Sequence, residues 1–186
     1  MKLVYVAGYG RSGSTVLGTV LGAHAQAVHA GEISFFYDEL RRTNRVCSCR
    51  LPYAECDFWK RAVVDGAELI SRGRVTRHVE HVASLPALLS GALPTQVQER
   101  YRLAQADLLS QVRAASRATV LVDSSKSAWA TIGRFVALQQ IVGENVFVIQ
   151  LVRERAATLR SVARVRSNWE LEGLRAPRRF ATLRTL

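Results

Sequence analysis

The sequence predicts an α/β protein, a three-layer α/β/α domain built on a parallel sheet. Three observations carry this. The apolar run Leu3 to Ala7 passes through a glycine-rich turn into a helical pattern with Val16, Leu17, Val20 and Leu21 apolar. The runs Thr119–Asp123 and Val146–Leu151 are almost continuously apolar, as strands covered on both faces are. Ala27–Ala30 follows the first helical pattern as a short second strand, and a strand–helix–strand start sets up a parallel sheet with a right-handed crossover.

The first turn is the most informative stretch. Gly8, Gly13 and Thr15 keep the spacing of the nucleotide-phosphate signature G-x-x-x-x-G-K-[ST], but Ser14 stands where the lysine belongs. Glycines let successive backbone N–H groups turn inward, and the following helix aims the positive end of its dipole at the same point. Without the lysine a contact to the β- and γ-phosphates is missing. A cation stands three residues earlier, at Arg11.

The remaining elements follow in order. Gly31-Glu32 leaves the second strand at the carboxyl edge of the sheet, where ligands of such folds bind. Phe35 to Arg42 suits a short helix. Phe58 to Ser71 is helical, Arg72-Gly73-Arg74 breaks it, and a second helical stretch runs from Val75 to Leu89. Val97 to Ala115 is amphipathic, with Val97, Tyr101, Ala104, Leu108 and Val112 on one stripe. His78 and His81 are expected to be exposed or packed, not ligands. The third strand ends in Asp123-Ser-Ser-Lys126. A helix from Trp129 to Ile141 stops at Gly143. Beyond the fourth strand come Arg153 and a helix over Ala156 to Val165 that carries Ser161.

Composition sets limits. The chain has 186 residues, which suits a single domain over 1–186, and 48% of them are hydrophobic, so a wholly disordered chain is not expected. No apolar run has the length of a membrane span and no signal-peptide pattern opens the chain, so a cytoplasmic protein is expected. The net charge is +11, with nine arginines and three acids between Arg153 and Leu186. That balance suits an anionic partner. Aromatics are not interleaved with these arginines as on a base-stacking platform, so a nucleotide-sized anion is expected and no nucleic acid. Cys47, Cys49 and Cys56 raise the question of a metal. Three ligands without a histidine nearby fall short of tetrahedral zinc, so reduced thiols and no metal are expected.

The segment Arg11-Ser-Gly-Ser-Thr15 resembles the phosphosulfate loop of the sulfotransferases that use 3′-phosphoadenosine 5′-phosphosulfate (PAPS). Three further patches resemble sulfotransferase segments: Gly31-Glu32 that of the group with the tyrosylprotein enzymes, Asp123–Lys126 that of the bacterial members, and Arg153 with Ser161 the 3′-phosphate site. A Cys-x-Cys…Cys-x-Phe-Trp segment does so too, with Arg50 replacing the family's glycine. The resemblance implies a P-loop NTPase-like sulfotransferase fold, short at its C-terminus. It also implies PAPS as donor and a small-molecule, glycan, lipid or peptide acceptor. The donor site would comprise Gly10, Arg11, Ser12, Gly13, Ser14 and Thr15 around the 5′-phosphate, and Arg153 and Ser161 on the 3′-phosphate. Glu32 would be the base for the acceptor proton, with His29 in reserve, and Lys126 would stabilise charge on the transferring group. Two other readings stay open. One is a P-loop kinase or NTPase with Asp123 on magnesium; the other is a non-enzymatic basic module for nucleic acid.

Overall fold

The computed structural model describes residues 2–41, 46–47, 49–64, 66–126 and 130–163. Four strands form one sheet in the order β2-β3-β1-β4, all parallel: β1 (Lys2–Gly8), β2 (Ala27–His29), β3 (Val120–Asp123) and β4 (Val146–Leu151). The register sets Leu3 opposite both Leu121 and Val146, and Gly8 opposite Leu151. Helices flank the sheet in the manner of a three-layer α/β/α arrangement. α1 (Ser14–Gly22) packs on β1, β2 and β3.

The main core gathers Leu3, Tyr5 and Ala7 with Leu121 and with Tyr101, Ala104, Leu108, Leu109 and Val112 of α5 (Thr95–Ser116). The stripe expected for this helix is the face that is buried. Alternation along β1 divides the sheet: residues 3, 5 and 7 face this core, while Val6 is buried outside it.

Four expectations need correction. The helix over Phe58–Ser71 with a break at Arg72–Arg74 is instead α3 (Gly66–Glu80), which runs through Gly73 without interruption, while residues 58–62 are turns. Gly73 is a packing residue: a Cβ there would meet Asp38 Oδ1 at 3.4 Å and Tyr37 Cβ at 3.5 Å, both on α2 (Phe36–Leu40). The stretch Val75–Leu89 is divided after Glu80 by a 3-10 turn, and only α4 (Leu85–Leu89) follows it. Trp129 lies outside the described residues, and the helix expected there is α6 (Arg134–Ala137), continued by a π turn over Leu138–Val142 to Gly143, at φ 79°. β4 is an edge strand. Phe147, Val148 and Ile149 are exposed, so among the described residues neither face of β4 is fully covered. α7 (Arg155–Ala163) follows it; the expected end of this helix at Val165 and the later arginines lie outside the described residues. Among the described residues no helix is long and apolar enough to cross a membrane.

Candidate functional site

In a parallel sheet the chain leaves β1 towards one edge and β3 towards the other, which opens a crevice beyond the carboxyl ends of the central strands. The turn after β1 lies there. Gly8 has φ 139°, and a Cβ on it would stand 2.5 Å from the Leu151 carbonyl oxygen, so only glycine admits this approach of β1 to β4. Gly13, at φ 101°, caps α1 with no side-chain hydrogen bond to the first helical N–H groups. Ser14 is buried, while Arg11 and Thr15 are exposed. Gly10 is buried between them. Arg11 adopts φ 67°, a left-handed conformation that costs an L-residue about 1–2 kcal/mol. Ser12 Oγ is buried and has no hydrogen-bond partner among the described residues.

Arg153, two residues past β4, returns to this turn: its Nη1 donates to the Arg11 carbonyl oxygen at 2.8 Å. The two arginines, 142 positions apart in sequence, thus stand at one edge. Ser161 is half-buried on α7, two turns further on.

On the other side of β1, Lys126 Nζ donates to Glu32 Oε1 in an ion pair. Lys126 is also left-handed, at φ 69°. Its carbonyl oxygen accepts from the Tyr5 hydroxyl and, at 3.0 Å, from Thr131 Oγ1. Two of the four described non-glycine residues in this conformation thus stand at the crevice, one on each side, and such strain collects at functional sites.

His29 stands apart from this pair. Its Nε2 lies 2.9 Å from Ser124 Oγ, and its ring packs against α1, where a Cβ on Gly18 would stand 2.4 Å from Nε2. Burial lowers its pKa below the ordinary histidine value, opposed by the negative charge of Asp123.

Asp123 is fully buried and both its oxygens are occupied. Oδ1 accepts from the backbone N–H of Ser125 at 2.9 Å and Oδ2 from Arg134 Nε at 2.6 Å. Arg134 Nη1 donates also to Glu80 Oε1 and, at 3.1 Å, to Gln105 Oε1. Glu80 accepts in turn from Tyr101 at 2.8 Å and from Ser34. Ser34 N donates to Ser125 Oγ at 3.0 Å, which ties the chain after Glu32 to the chain before Lys126. Burial pushes the Glu80 carboxyl up, and the Arg134 charge opposes it. Sequence reasoning missed this hub. A signal was present: Arg134 and Glu80 interrupt apolar helical faces, and a charge on such a face is either an error of phase or a buried pair.

The expectation of no metal is corrected by the cysteines. The sulfurs of Cys47, Cys49 and Cys56 all lie within 4.8 Å of one another and form a group able to hold a metal ion. Spacing along the chain hid this, because a hairpin and a turn bring the three together. Burial pushes the Cys56 thiol up, opposed by the backbone N–H groups of Trp59 and Phe58.

The other histidines do structural work or line surfaces: His81 Nδ1 accepts from Ala83 N at 3.1 Å, and His78 borders a cleft with Ile70, Arg74 and Arg100. Compared with known proteins, the chain matches no family model, no curated protein and no solved structure.

Proposed function

We propose that the chain is a sulfotransferase of P-loop-like fold that takes a sulfuryl group from PAPS to an acceptor hydroxyl or amine. The observation that supports this reading is the contact of Arg153 with the carbonyl oxygen of Arg11, which joins the two arginines expected to hold the 5′- and 3′-phosphates. Arg11 and the N–H groups opening α1 meet the 5′-phosphate. Gly10 and Gly13 shape the turn, and the hydroxyls of Ser12, Ser14 and Thr15 supply hydrogen bonds to its oxygens. Arg153 takes the 3′-phosphate as a forked donor, and Ser161 adds a hydroxyl from α7.

The acceptor oxygen attacks sulfur in line, a new S–O bond forms, and the bond from sulfur to the 5′-phosphate oxygen breaks. The acceptor proton passes to Glu32, and adenosine 3′,5′-bisphosphate departs with the bonding electron pair. Positioning and charge stabilisation supply the rate, as in phosphoryl transfer. Lys126 holds Glu32 in an ion pair and would bring a cation to the transferring group. His29 is the less apt base, because its Nε2 already faces Ser124.

The kinase or NTPase reading loses support from Asp123, whose oxygens are committed to Arg134 and Ser125. The test is calorimetry. Adenosine 3′,5′-bisphosphate should bind more tightly than AMP, and Arg153→Ala should erase the difference. Equal affinity of the parent chain for both ligands would remove the second half of the anchor and the donor assignment with it.

A further inference from the structure

The stretch between α2 and α3, residues 41–65, is long, and its described residues carry almost no regular structure. Among its described residues there is one antiparallel bridge, Val46 with Pro52. A connection of this length inside a compact domain needs something to hold it. One hold is aromatic: Trp59 packs on Phe36 with ring centroids 4.9 Å apart, and Tyr53 meets both rings edge-on.

The second hold is the group of thiols. Cys47 N donates to Leu51 O at 2.8 Å and Arg50 N to Cys47 O at 2.8 Å, closing a tight hairpin over Cys49. Arg50 completes it at φ 71°, the left-handed position that a glycine would take without cost. A second turn, Cys56 N to Pro52 O at 3.0 Å, swings Cys56 beneath the hairpin. Trp59 N donates to the Cys56 carbonyl oxygen at 3.0 Å, which holds the turn that carries Cys56. The chain is therefore folded twice to gather three sulfurs, none of them bridged.

The distances fit an ion. A tetrahedral zinc with Zn–S bonds of about 2.3 Å sets its sulfurs about 3.8 Å apart. Cys49 Sγ and Cys56 Sγ are separated by 3.6 Å, and the third sulfur lies within 4.8 Å of both. An all-thiolate donor set selects soft or borderline d10 ions over magnesium or calcium. An iron–sulfur cluster takes four cysteines. Among the described residues no imidazole or carboxylate belongs to the group. Cys56 is buried and Cys49 exposed, so the fourth coordination position opens to solvent on the Cys49 side.

We propose that Cys47, Cys49 and Cys56 bind one zinc ion as thiolates, with water in the fourth position, and that this ion staples the two turns of the 41–65 connection to each other. Its place is structural: it shares no residue with the edge formed by Arg11, Glu32, Lys126 and Arg153.

The full chain, produced in zinc-supplemented medium and purified without chelator, should carry one zinc per chain by elemental analysis. Cobalt(II) added to the metal-free chain should give thiolate-to-metal charge-transfer absorption and tetrahedral d–d bands. Cys49→Ser, at an exposed position, leaves the core untouched. It should weaken zinc binding by more than about a hundredfold, beyond what loss of an outer partner of a metal ligand costs. A strong chelator should lower the melting temperature of the parent chain and leave that of Cys49→Ser unmoved. The proposal is overturned by any of four results: a parent chain that binds neither zinc nor cobalt, stoichiometric copper or iron in place of zinc, a mass two hydrogens light from a disulfide, or zinc retained undiminished by Cys49→Ser.

Discussion

Arg11 and Glu32 divide the labour of the proposed site. Arg11 reaches solvent from a strained backbone and would touch the bond being broken; Glu32 is held by Lys126 on the far side of β1. Arg11→Ala should therefore lower both the affinity for the bisphosphate and the transfer rate, the rate by about a hundredfold or more, the usual cost of removing a charge-stabilising donor. Glu32→Gln keeps shape and a hydrogen-bonding oxygen for Lys126. Donor affinity should stay nearly constant while transfer falls by roughly a hundred- to ten-thousandfold, the scale of general-base loss. Single-turnover sulfate transfer beside calorimetry on both variants separates the two effects. Transfer at the parent rate by Glu32→Gln would remove Glu32 from the role of base. The glycine turn after β1 was legible in sequence because Gly8 and Gly13 follow an apolar run at the spacing of a strand–turn–helix. Arg134, Glu80 and the thiol group were not legible, since Arg134 and Glu80 stand 54 positions apart and the thiols are folded round by turns no periodicity reports.

At the level of elements, Arg134 holds α6 to the end of β3 and to α3 and α5 at once. Two carboxylates, Asp123 and Glu80, share its charge in a region with no exposure at all. A buried pair loses more when one partner is deleted than it ever added to stability, because the remaining charge stays behind without water. Arg134→Met should cost about 3–5 kcal/mol in chemical denaturation. It should also disturb Ser125 and through it the junction with Ser34, so that donor affinity drops in any fraction that remains folded. A loss below 1 kcal/mol, read from the denaturation midpoint at constant slope, would show that the hub is dispensable. The helices of this half were read correctly where an apolar stripe governs, as in α5, and misread where packing governs. Gly73 looks like a breaker and is a contact point between α2 and α3.

For the whole molecule the pH dependence of stability has one assignable component at mildly acid pH. The folded His29 titrates below its unfolded value of about 6.5 because it is half-buried against α1. The unfolded chain then binds more protons in that range, so stability is fully present above about pH 6.5 and falls as pH drops through the folded value. Urea denaturation of the parent chain between about pH 7 and pH 5 should show this decline, and His29→Gln should show a flatter one. Glu80, raised by burial, contributes with the opposite sign, and it cancels in the difference between parent and variant. Identical slopes for the two chains would deny His29 its part.

The sequence by itself determined the fold class, the places of β1, β2, β3 and β4, the α5 stripe and the glycine turn. Each of these is a local pattern: an apolar run, a 3.6-residue period, or a glycine whose backbone angle no other residue adopts freely. Only the tertiary structure decided which polar side chains meet. It joined Arg153 to the carbonyl of Arg11 across the sheet edge, closed Lys126 onto Glu32, buried Arg134 between two carboxylates and gathered three thiols from two turns. All but the thiol group follow from strand order, and strand order is set by how the layers cover the sheet, a global choice that leaves no mark in any short window of sequence.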